Sequence, residues 1–97
     1  MKIKTKSGFV CEVDAERAKD WRFCKALAKC DSEDESTMIQ GITFVVPFLL
    51  GEKGEQKLME HVTDDKGNIP LEKVILEFKN ILTKMGEETK KLQSSQE

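Results

Sequence analysis

The run from Ile42 to Leu50 is apolar at eight of nine positions, with Thr43 the exception and Pro47 inside it. Met38, Ile39, Ile42, Val45, Val46, Leu49 and Leu50 fall at helical spacing, so a helix starting at Ser36 or Thr37 is predicted. Pro47 removes a hydrogen bond and crowds the preceding turn. Thr43, Val45 and Val46 are β-branched and lower helix propensity. The prediction is therefore a kinked helix, or one broken near Val46, with a buried strand over Ile42–Val46 as the alternative. Such a helix has more apolar sides than one small core can cover. Either the fold wraps it on several sides, or it presents a groove or oligomer face. On the second reading Ile42, Val45, Phe48 and Leu49 are the candidate partner-binding residues.

The rest of the chain reads as thin elements around that run. Phe9, Cys11 and Val13 alternate with Val10 and Glu12, and Lys6-Ser7-Gly8 is turn chemistry. Together with Ile3-Lys4-Thr5 this predicts a β-hairpin that something else must cover. Asp14 or Asp20 caps the next element. Trp21, Cys24, Leu27 and Ala28 form a helical stripe, widened by Phe23, Ala26 and Cys30, and the helix fails by Asp31. Gly51 and Gly54 interrupt the chain before a short helix over 55–62 with Leu58, Met59 and Val62 inward. Thr63–Asn68 is a turn. Pro70 then opens the clearest helix, with Val74, Phe78, Ile81, Leu82 and Met85 on one face and Gly86 as its C-cap. The expected fold class is α+β, mostly α-helical: a short N-terminal hairpin followed by about four helices. Residues 1–86 form a single domain, and residues 87–97 form a polar, disordered tail.

Composition narrows the function. The chain has 97 residues and a net charge of −2, so no global charge attracts nucleic acid or an anionic membrane. The balance is uneven: Lys and Arg dominate residues 1–30, and Asp31, Glu33, Asp34 and Glu35 follow as an acidic loop. The longest apolar stretch, Phe44 to Leu50, is seven residues, against roughly 20 needed to span a bilayer. The basic N-terminus lacks the apolar region of a secretory signal. A cytoplasmic location is expected.

Candidate chemistry is sparse. His61 is the one histidine, placed on the polar side of the short helix near its end. Cys11, Cys24 and Cys30 read as reduced, buried, small hydrophobes. No pair of them has zinc-ligand spacing. Asp64–Ile69 superficially matches a calcium loop. Aligned on Gly67, however, Val62, Lys66 and Lys73 fall where calcium needs oxygen ligands, so the segment is a helix-connecting turn. Basic residues near Phe9, Trp21 and Phe23 could contact nucleic acid, but Asp14, Glu16 and Asp20 are interspersed and nucleic acid is not an expected partner. No catalytic residue, metal site or cofactor is expected, and the chain reads as a protein-binding domain rather than an enzyme. Labelling of the three thiols would test a thiol-dependent activity.

The order of features carries a resemblance. A Lys6-Ser7-Gly8-Phe9 turn, Asp20-Trp21, the helix Lys25-Ala26-Leu27-Ala28-Lys29 and an acidic loop are followed by Leu49-Leu50-Gly51. Glu60-His61-Val62 and the Asp65-Lys66-Gly67 turn come next, and Gly86 precedes the polar tail. Over about residues 2–86 this resembles the small tail-assembly chaperones of long, non-contractile-tailed bacteriophages and prophages. The resemblance implies a protein of the host bacterial cytoplasm that binds the tape-measure protein and recruits tail-tube subunits. It also implies absence from the finished virion and, in many members, a longer form made by frameshifting. Pro47 and the cysteines fit no pattern of that family. Self-association is a further expectation. Competing expectations are a structural phage component, such as a head–tail connector or minor tail protein, and a small regulatory module.

Overall fold

The computed structural model describes residues 1–95, with side chains described through Glu88. Strands β1 (Lys2–Lys4) and β2 (Val10–Glu12) pair antiparallel, with Ile3 opposite Cys11. A 3₁₀ turn (Arg17–Lys19) leads into α1 (Trp21–Cys30), α2 (Glu35–Val62) and α3 (Leu71–Ser95). The fold is thus mostly helical with an N-terminal hairpin. It has three helical elements where about four are expected, because α2 joins two helical segments across a break at Gly51 and the short helix expected over 55–62 lies in the second of them.

The hairpin follows its alternation. Phe9, Cys11 and Val13 are buried while Val10 is exposed. Gly8 has φ +91°, a conformation that suits glycine, and its amide donates to the Thr5 carbonyl. β2 lies on α2 and β1 on α3. Burial of side chains such as Ile3, Phe9 and Val13, worth roughly 1.5–3 kcal/mol each, anchors a hairpin too short to stand alone.

α1 begins where the Asp20 carboxylate accepts the Arg22 amide at 2.8 Å, and Asp31 is its C-cap residue. Its inward stripe differs from the expected one. Phe23 and Ala26 are buried, whereas Trp21 is 76% exposed. The reason is the close approach of α1 to α2: Ala26 and Cys30 lie directly against Gly41. Two small residues let the backbones come together, and this fixes the rotation of α1. Trp21 is left on an outer face.

α2 starts with Asp34, whose carboxylate accepts both the amide and the hydroxyl of Thr37, at 3.0 and 2.6 Å. These contacts, the hydroxyl first, hold the carboxyl below its usual range. Ile42–Val46 is helical, so the strand alternative falls away. Pro47 sits within helical geometry, and the break comes at Gly51, with φ +75° and ψ 172°. That backbone region is open essentially to glycine alone. The expected interruption over Gly51–Gly54 shrinks to one residue. The Phe48 carbonyl, in the last turn before the break, accepts Arg17 Nη1 at 2.8 Å.

The turn after α2 forms as expected. The Asp64 carboxylate accepts the Lys66 and Asn68 amides, each at 2.9 Å, and Gly67 has φ +85°. α3 buries Val74, Phe78, Ile81 and Met85, with Leu82 partly covered. Gly86 does not end this helix. Its φ is not positive, and α3 continues to Ser95, so residues 87–95 are helical rather than a disordered tail. Gln96 and Glu97 lie outside the described residues.

Candidate functional site

Three of the four residues predicted to meet a partner are core. Ile42 is 6% exposed, Leu49 4% and Val45 not at all. α1 covers one side of the helix, while the second half of α2 and α3 cover others, so of the four only Phe48 is more than slightly exposed, and Ile42 is met only at the floor of a groove. The wrapped-helix reading of Ile42–Leu50 is the one the packing supports.

The open apolar surface lies elsewhere. α1 and α3 both pack on α2 but not on each other. Between them runs a groove of about 540 Å³. Leu27 and Ala28 of α1 form one wall, Ile75 and Leu82 of α3 the other, and Met38 and Ile42 of α2 the floor. Asp31 and Lys79 are its charged lining residues. Trp21, Cys24 and Ala28 succeed one another at helical spacing, so Trp21 continues the α1 wall by one turn. A site lined by apolar side chains with few polar groups suits the apolar face of a helix. Sequence reasoning named most of these residues as core. It could not see that two helices would share a third without touching.

A polar cluster pins the hairpin to α3. Glu77 is 5% exposed, and its Oε1 accepts hydrogen bonds from Ser7 Oγ and, at 3.4 Å, Thr5 Oγ1. Glu77 Oε2 is buried without a hydrogen-bond partner. Ser7 Oγ also meets His61 Nε2 at 2.8 Å, and the His61 ring lies 5.3 Å from that of Phe9. In a nucleophilic serine site the imidazole stands between acid and hydroxyl. Here the hydroxyl stands between acid and imidazole. Ser7 has one proton to give and spends it on the carboxylate, leaving His61 Nε2–H to donate to Ser7 Oγ. The arrangement seats a buried acid and turns the serine proton away from the imidazole. His61 was expected simply on a polar face. The available signal was Glu77 itself, an acid lying between Val74 and Ile81 on the buried stripe.

The cysteines are free and divide by environment: Cys11 is buried, Cys30 half-buried and Cys24 exposed, the last against expectation. Burial, and then the charges of Glu12 and Glu77, push the Cys11 thiol up to about 11. Burial also raises Cys30. Since the thiolate is the reactive species, iodoacetamide at neutral pH is expected to label Cys24 first and Cys11 last. Peptide mass spectrometry over time would show it, and early labelling of Cys11 would mean that the hairpin opens readily. Among the described residues no cluster of three or more His, Cys, Asp or Glu side chains could hold a metal ion. No helix among them is long and apolar enough to cross a membrane.

No family model matches this sequence, and neither a curated protein nor a solved structure matches it.

Proposed function

We propose that this chain is a non-catalytic phage tail-assembly chaperone, which holds the tape-measure protein in the host cytoplasm and recruits tail-tube subunits. The groove between α1 and α3 carries the binding part of this reading. It is apolar, open along its length and walled by helices, which is what an amphipathic helix of a long helical client requires. The phage assignment rests on the resemblance of the chain's feature order to that family.

Ala28 is the point at which to test it. It is an exposed small residue on the groove wall, so Ala28→Glu places a carboxylate in the groove without disturbing the core. Tagged parent and variant would be used to capture proteins from lysing host cells. The parent is expected to recover a very long helical phage protein with tail-tube subunits, and Ala28→Glu to lose most of both with its melting temperature unchanged. Recovery of capsid or connector proteins instead, or equal recovery by the variant, would remove the proposal. Retention of the protein in purified virions would favour a structural tail component.

A further inference from the structure

A second surface lies on the other flank of α1. Arg22, Lys25 and Lys29 recur at intervals of three and four residues, so they stack along one stripe. Across a cleft of about 230 Å³ they face Gln40 and Phe44 of α2. Phe44 is 40% exposed and stacks on Phe48, with ring centroids 5.2 Å apart and planes at 22°. The guanidinium groups of Arg17 and Arg22 lie over the Phe48 ring at 5.3 and 5.1 Å. Arg22 is already matched by both oxygens of Asp20, at 3.1 and 3.0 Å. Lys25 and Lys29 have no acidic partner within ion-pair distance among the described residues.

We propose that this cleft docks a short acidic segment of a partner protein that carries an aromatic anchor. The two unmatched ammonium groups take its carboxylates, and Phe44 takes the anchor ring. The charge is complementary to such a segment and restricts its length. Asp31, Glu33, Asp34 and Glu35 follow Lys29 directly, so a polyanion tracking along the stripe would run into four carboxylates. That excludes a nucleic-acid strand as the better fit, because a phosphate chain cannot stop where the lysines stop. A second copy of this chain fits less well, because its own acidic run Asp31–Ser36 contains no aromatic or large apolar residue. The surface is separate from the groove, so its test stands apart from that of the proposed function.

The probe is a fluorescein-labelled peptide of repeated Glu-Glu-Trp units, read by fluorescence polarisation at low and high salt. The parent chain is expected to bind it, and added salt to weaken the complex. Lys25→Glu/Lys29→Glu should reduce affinity about tenfold, from two lost exposed ion pairs and the repulsion replacing them. Phe44→Ala should weaken binding with the salt dependence retained. Both lysines are exposed, so unchanged circular-dichroism melts would show the variant folded. Absence of peptide binding, or affinity unmoved by the charge reversal, would overturn the proposal. So would tighter binding of an oligothymidine than of the peptide. A concentration-dependent dimer in sedimentation that the reversal dissolves would assign the cleft to a second copy instead.

Discussion

A Gly41→Val chain is expected to lose at least about 3 kcal/mol of stability, a large share of the roughly 5–15 kcal/mol that holds an ordinary domain folded. A Cβ at residue 41 would lie 2.7 Å from the Ala26 carbonyl oxygen, 2.8 Å from the Cys30 amide nitrogen and 2.9 Å from Cys30 Sγ. Two of those atoms are α1 backbone, so no side chain can swing aside to relieve the clash. α1 would have to move away from α2, and Phe23 and Ala26 would lose their packing. Alanine alone brings overpacking of about 1–3 kcal/mol, offset by about 1 kcal/mol of better helix propensity. Gly41→Ala should therefore lower the urea midpoint modestly, and the two further methyl groups of valine should lower it severely. A raised midpoint for Gly41→Ala, or a Gly41→Val chain as stable as the parent, would mean that the two helices stand farther apart than described.

Val45→Asp should unfold the chain outright, whereas a change at the neighbouring Phe44 should not. Val45 has no accessible surface. A buried, unpaired carboxylate costs several kcal/mol even after relaxation, and loss of the valine forfeits about 2 kcal/mol of apolar burial. Phe44→Ser removes one exposed stacked ring, worth about 1 kcal/mol. Thermal melts of the two variants, one residue apart, thus separate the inner and outer sides of α2. A well-folded Val45→Asp chain deficient in client binding would restore Val45 as a partner contact.

Periodicity made the hairpin and α3 legible, because each has one apolar face and one polar face. It failed for the first half of α2, where apolar side chains surround the helix and no face is marked as inner. The choice was made by Gly41 and Ala26, whose smallness brings α1 close, and this is a property of a pair of residues far apart in sequence. The same contact turned Trp21 outward, although a large aromatic beside Cys24 reads as core. Pro47 suggests a break near Val46 that the structure lacks, whereas the interruption expected from Gly51 is present there, at φ +75°. Gly86 was misread because a glycine before a polar segment resembles a cap, yet the helix runs through it. The groove, the basic cleft and the Ser7–Glu77 contact all depend on which elements become neighbours, and no local pattern announces that.

The Glu77 contact also bears on the order in which the chain can assemble as it is made. Thr5 and Glu77 are 72 residues apart, and closing so long a loop costs entropy before any contact repays it. Synthesis delivers the hairpin first and its acceptor much later. Until α3 emerges, two three-residue strands have neither their carboxylate anchor nor the helical surface that covers Ile3. The β1 side of the hairpin, which packs on α3, therefore stays uncovered until α3 emerges, whereas β2 can already lie on α2.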